Sequence, residues 1–121
     1  MARILLVDDH DECRRALNRA LQRMGHEVTQ AADGRQAVAA LDGTPHDLVV
    51  TDINMPGMDG IELILAVGRR WPGVPIIAVS GGGMLPKELL LDNAAVLGAV
   101  TTLPKPVDLG ELHAAVDRAL A

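Results

Sequence analysis

The sequence predicts an α/β protein: a (βα)5 chain whose five short strands alternate with five helices in a doubly wound, five-stranded parallel sheet. Three observations carry this. Short continuous apolar runs, Ile4-Leu5-Leu6-Val7, Leu48-Val49-Val50 and Pro75-Ile76-Ile77-Ala78-Val79, lack the alternation of a half-solvated strand, so they read as strands buried on both faces. Between them, apolar residues recur at helical spacing. Parallel neighbours need a crossover, so alternation of the two patterns puts helices on both faces of one sheet.

Each element follows in order. The first strand ends in Asp8-Asp9. Leu17, Ala20, Leu21 and Met24 then mark a helix, with Arg14, Arg15, Arg19 and Arg23 between them and Gly25 as its stop. Val28 centres a weaker strand, and Ala37, Val38 and Leu41 mark a short helix ending near Gly43. The third strand ends in Asp52 and runs into a turn-rich loop, Met55-Pro56-Gly57-Met58-Asp59-Gly60, before a helix starting near Ile61. The fourth strand ends in Ser80 and three glycines, and a helix around Leu89 to Leu97 leads to a fifth strand, Ala99-Val100-Thr101-Thr102-Leu103. Leu109, Leu112, Val116 and Leu120 give the last helix one apolar stripe.

At 121 residues the chain suits one domain, residues 1–121, with no linker or internal repeat. Its 49% apolar content suits a packed core, but Trp71 is its sole aromatic residue, so that core is Leu, Val, Ile, Ala and Met. Without aromatic faces there is no base-stacking platform, and a net charge of −5 has the wrong sign for a polyanion, so no nucleic-acid partner is expected. Cys13 stands alone and reads as a small apolar filler that cannot form an internal disulfide. No apolar run reaches membrane-span length and no signal-peptide pattern opens the chain; a cytoplasmic protein without membrane contact is expected.

Ligands of open α/β sheets bind beyond the carboxyl ends of the strands. There the sequence places Asp8 and Asp9, Asp52, Ser80 and Lys105. Any one of them has an ordinary explanation, since an Asp after a strand commonly caps the next helix and a Ser before glycines commonly serves a turn. Converging carboxylates, however, repel unless a cation joins them, and Mg2+ takes one or two carboxylates while keeping waters and phosphate oxygens. A lysine and a hydroxyl beside them complement a phosphoryl group. His10, His26, His46 and His113 lack metal-ligand spacing and read as structural or solvated. Gly81-Gly82-Gly83 lacks the Lys-Ser/Thr of a nucleotide-binding loop.

Four stretches, Ile4-Leu5-Leu6-Val7-Asp8-Asp9 with Asp11, Asp52-Ile53-Asn54-Met55-Pro56-Gly57-Met58-Asp59-Gly60, Val79-Ser80-Gly81 and Leu103-Pro104-Lys105-Pro106, resemble the receiver domain of bacterial two-component response regulators over nearly the whole chain. The resemblance implies a flavodoxin-like fold of strand order 2-1-3-4-5 and a switch driven by an aspartyl phosphate. It implies that Asp52 accepts a phosphoryl group from a histidine kinase or histidine phosphotransfer protein. Asp9, Asp52 and the backbone carbonyl of Asn54 would hold Mg2+, with Asp8 acting through water. Ser80 and Lys105 would bind the phosphoryl oxygens, and the bond from Lys105 to Pro106 is often cis in such proteins. A downstream output domain or protein would read the switch.

Three features depart from that pattern. Thr102 stands where an aromatic residue is usual, three before Lys105. The interval from Asp52 to Ser80 is shorter than usual and that from Ser80 to Lys105 longer. Leu89-Leu90-Leu91 with Val96-Leu97 exceeds one buried stripe, pointing to a protein-docking or homodimer face on the fourth and fifth helices, or to extra core packing. Competing readings are a phosphorylation-independent pseudo-receiver, an FMN-binding flavodoxin-like protein, which lacks ring-flanking aromatics, and a small magnesium-dependent phosphatase.

Overall fold

A computed structural model of the chain describes residues 1–53, 60–80 and 100–121. Five parallel strands form its sheet, β1 (Arg3–Val7), β2 (Glu27–Ala31), β3 (Leu48–Asp52), β4 (Ile76–Ser80) and β5 (Val100–Pro104), in the order β2-β1-β3-β4-β5. This is the flavodoxin-like arrangement that the resemblance implies. The helices are α1 (Asp11–Arg23), α2 (Gly34–Gly43), α3 (Gly60–Arg70) and the last helix, α4 (Leu109–Leu120). The helix expected around Leu89 to Leu97 and the loops expected at 54–59 and 81–83 lie outside the described residues.

β3 and β4 are buried at every position, as their unbroken apolar runs require. Successive side chains divide between two cores. Ile4 and Leu6 pack with Leu17 and Leu21 of α1 and Leu112 and Val116 of α4, whereas Leu5 and Val7 pack with Leu41 of α2 and Leu63 and Val67 of α3. Ala115 joins the first core, but Leu109, read as part of the same stripe, is 54% exposed. It is the first residue after the cap of α4, where Asp108 accepts a hydrogen bond from the Glu111 N–H at 2.8 Å, so it sits at the mouth of the helix rather than against the sheet.

The end of α1 shows why Gly25 stops it. His26 N–H bonds back to the Leu21 carbonyl at 3.3 Å and Gly25 N–H to that of Gln22 at 3.0 Å, a closure that turns the chain left-handed at Gly25, φ 92°. Trp71, just past α3, is half-buried against the second core, and the Arg70 guanidinium lies 4.4 Å from its ring centroid. Among the described residues no helix is long and apolar enough to cross a membrane.

Candidate functional site

Strand register assembles the site. Val7 lies opposite Thr51, which brings Asp8 beside Asp52 one residue on. Ser80 lies opposite Pro104, so Lys105 leaves β5 next to the same edge. Asp8, Asp52 and Ser80 are all buried, at 1%, 5% and 5% exposure, whereas Asp9 is exposed at the rim. One carboxylate oxygen from each of Asp8, Asp9 and Asp52 lies within 4.8 Å of the others. Three hard oxygen donors at that spacing suit Mg2+ rather than a thiolate- or imidazole-seeking metal. Asn54, whose carbonyl is the remaining expected ligand, lies outside the described residues.

Among the described residues Lys105 is the cation of this pocket. Its Nζ donates to Asp52 Oδ2 at 2.9 Å and stands 3.9 Å from Asp8 Oδ2. Burial alone would lower the lysine's pKa, but the hydrogen bond to Asp52 and the charges of Asp8 and Asp52 outweigh it and raise it above the usual value. The Lys105 N–H also donates to the Ser80 carbonyl at 3.0 Å, tying the ends of β4 and β5 together. The Lys105–Pro106 peptide is cis.

The ordinary reading of the strand-end aspartates does not hold for β1. His10, not an aspartate, caps α1, its Nδ1 accepting from the Cys13 N–H at 3.3 Å. Asp8 Oδ1 instead accepts from the His10 N–H at 2.8 Å, and the Asp8 N–H donates to the Ala31 carbonyl at 3.1 Å. Among the described residues no capping bond occupies the Asp9 carboxylate. The other histidines stay away from the site: His26 Nδ1 accepts from the Ala2 N–H, His46 bridges the Thr44 carbonyl and the Thr29 hydroxyl, and exposed His113 pairs with Asp117.

Three residues matter here in ways the sequence did not show. Cys13 packs against the core as a filler would, yet it neighbours the acidic pocket: burial first, then the influence of Asp8, pushes its thiol pKa up to about 11. Gly60 opens α3 against the end of β3: a Cβ there would collide with the Asp52 carbonyl oxygen and Ile53 Cα. Its N–H donates to the Ile53 carbonyl at 2.9 Å, closing the chain on either side of residues 54–59. Arg14 reaches the Asp8 carbonyl. Beside the pocket runs a groove of about 540 Å3 lined by His10, Cys13, Leu17, Lys105, Val107 and Leu109, among others, with mainly apolar walls.

Comparison with known proteins agrees with this geometry. The sequence profile described as "Response regulator receiver domain" matches residues 4–117. The transcriptional regulatory protein TcrA of Mycobacterium tuberculosis is 40% identical over 113 residues, which are 93% of this chain and 43% of TcrA. The chain spans less than half the length of the curated relatives it matches. Among solved structures, the Vibrio cholerae chemotaxis protein CheY4 superposes with a TM-score of 0.86 at 34% identity, covering 99% of both chains. The Thermotoga maritima response regulator TrrA, solved in complex with Mg(2+)-BeF, superposes with a TM-score of 0.83 at 28% identity over 99% of this chain and 100% of TrrA. With its profile, strand order and acidic strand-end pocket in agreement, this chain belongs to the response regulator receiver domains of two-component signalling.

Proposed function

We propose that residues 1–121 act as one phospho-accepting switch, with Asp52 as the acceptor. The observation that carries this is the pairing of a buried Asp52 with Lys105 at 2.9 Å, beside two further carboxylates within metal-sharing distance. A histidine kinase or histidine phosphotransfer protein supplies the phosphoryl group. An Asp52 carboxylate oxygen attacks phosphorus as the bond to the donor imidazole nitrogen breaks, and the imidazole leaves. Asp9 and Asp52, with the Asn54 carbonyl, would hold Mg2+ directly and Asp8 through water. When bound, the ion neutralises charge spreading over the phosphoryl oxygens. The apolar groove next to Lys105 offers a partner helix a surface from which to present its phosphohistidine.

Once Asp52 is modified, the Lys105 ammonium loses its carboxylate partner and can follow the phosphoryl oxygens, while the Ser80 hydroxyl donates to another. Contacts that differ between the two states are what bias a switch. Because Thr102 is small, stiff and exposed on edge strand β5, the response is expected in the chain between Gly81 and Leu97, which lies outside the described residues, rather than in a ring flip. A downstream output domain or protein, or a second copy docking there, reads it. We place the domain in the cytoplasm.

Incubation with acetyl phosphate and magnesium, followed by intact-mass measurement, tests the reading. A gain of one phosphoryl group, absent from Asp52→Asn and from protein in EDTA, is expected. An unmodified wild-type mass, or equal labelling of Asp52→Asn, would sink it and favour the phosphorylation-independent interaction module.

A further inference from the structure

Among the described residues, one side chain holds the pocket's acidic loop, Asp8-Asp9-His10, from behind. Arg14 projects from the first turns of α1 and is only 15% exposed despite its charge. Its Nη1 donates to the Asp8 carbonyl at 2.8 Å, its Nη2 to Asp11 Oδ1 at 2.7 Å, and its Nε to Gln30 Oε1 on β2 at 3.3 Å. One rigid planar group thus joins the end of β1, the start of α1 and the neighbouring strand. Lysine, a point donor on a flexible stem, cannot reproduce that fork.

We propose that Arg14 is a positioning residue that sets the aim of the Asp9 carboxylate; the proposal rests on the magnesium-binding reading given above. Asp9 is exposed and, among the described residues, uncapped, so its direction is set by the backbone on either side of it. With the Asp8 carbonyl anchored to Arg14, the trans Asp8–Asp9 peptide can no longer rotate, and its N–H is turned to the opposite side. The following residue is fixed by the His10 N–H bond to Asp8 Oδ1 and by the cap His10 forms on α1. Arg14 touches none of the three carboxylates that would share the ion; it acts on them through the peptide. Release of that peptide leaves the buried Asp8 and Asp52 carboxylates in place but lets the rim ligand Asp9 wander, the kind of loss that outer partners of metal ligands produce.

Two readouts test this in the full chain. The first is hydrogen exchange at the hydrogen-bonded Asp8 and His10 amides in metal-free protein, and the second is the magnesium dissociation constant by calorimetry. Arg14→Met and Arg14→Lys are both expected to speed exchange at these amides at least several-fold, leaving Leu48–Val50 amides unchanged, and to weaken magnesium binding roughly tenfold. Gln30→Ala, which removes one prong without altering charge, is expected to move both readouts in the same direction by less, and it stands in if Arg14→Met fails to fold. Full rescue by Arg14→Lys would show that charge alone matters and overturn the proposal, as would wild-type exchange and affinity in Arg14→Met. A wild-type protein that binds no magnesium would overturn the function proposed above, and the exchange data alone would then decide for or against the positioning.

Discussion

Asp9→Asn offers the sharpest test of the acidic pocket, because its effect on stability should change sign with magnesium. Lys105 pairs with Asp52 and approaches Asp8; among the described residues Asp9 has no ion pair. Its removal therefore relieves repulsion and breaks nothing. Two unit charges 4.8 Å apart, the span of the cluster, repel by about 0.9 kcal/mol in a water-like dielectric and about 3.5 kcal/mol at an effective dielectric of 20. Asp9 is exposed, so the lower figure applies; two such pairs give nearly 2 kcal/mol, and if the opposing Lys105 charge acts at a like distance it offsets about half. Metal-free Asp9→Asn should thus be about 1 kcal/mol more stable than wild type, a melting temperature roughly 3–5 °C higher for a chain of this length. At a magnesium concentration 20 times its dissociation constant the wild type gains about 1.8 kcal/mol, and the variant, lacking a ligand, gains little. Calorimetric melts in EDTA and in magnesium should cross. A variant no more stable than wild type in EDTA would refute the repulsion argument, and an equal gain from magnesium would refute the role given to Asp9. In 1 M salt, where the screening length is about 3 Å, the EDTA difference should shrink.

Lys105→Met should cost about 2 kcal/mol in metal-free protein, because it leaves buried Asp8 and Asp52 uncompensated, and magnesium should restore most of it. The raised Lys105 pKa implies a stabilisation that is complete below the unfolded value near 10.5 and is lost as pH rises through the folded value; alkaline melts should show this loss in wild type and not in Lys105→Met. Cys13, with its pKa near 11, should react with iodoacetamide at pH 8 roughly a hundredfold slower than an unperturbed thiol, and Asp8→Asn or added magnesium should speed it; free-thiol kinetics in wild type would contradict the influence of Asp8. Gly60→Ala should destabilise by about 1–3 kcal/mol despite alanine's better helix propensity, because its methyl has only backbone to meet, and should lower Asp52 labelling; a neutral melt would contradict the close approach.

The strands and the positions of Asp8, Asp9, Asp52, Ser80 and Lys105 were legible because a parallel sheet sends every strand's carboxyl end to the same edge. Unbroken apolar runs give the strands, and the residue after each run then falls at the edge whatever the details of packing. Strand order was not legible from the residues and came only from the family resemblance. Arg14, Cys13 and Gly60 escaped for a common reason: each matters through a tertiary contact that periodicity does not encode. Arg14 looked like one of four arginines on a solvated face, and only the rotation of α1 over β1 and β2 turns it, and not exposed Arg15, toward the Asp8 carbonyl. Gly60 looked like turn chemistry, whereas its missing side chain is what lets α3 start against the Asp52 carbonyl. The exposed Leu109 shows the limit of the helical stripe at its ends, where the cap on Asp108 rather than the period decides direction.

Trp71 gives the chain an unusual optical property. It is the sole aromatic residue, and it sits at the far end of α3 from Gly60, which abuts Asp52; that helix alone separates the two by about 15 Å. Its emission, shaped by the overlying Arg70 and the second core, reports whether α3 is docked on the sheet. Magnesium titrations and phosphoryl transfer at the opposite edge should leave that emission nearly constant. Intrinsic fluorescence therefore counts folded molecules without counting occupied ones, and a spectroscopist must bring a separate probe to see the site itself.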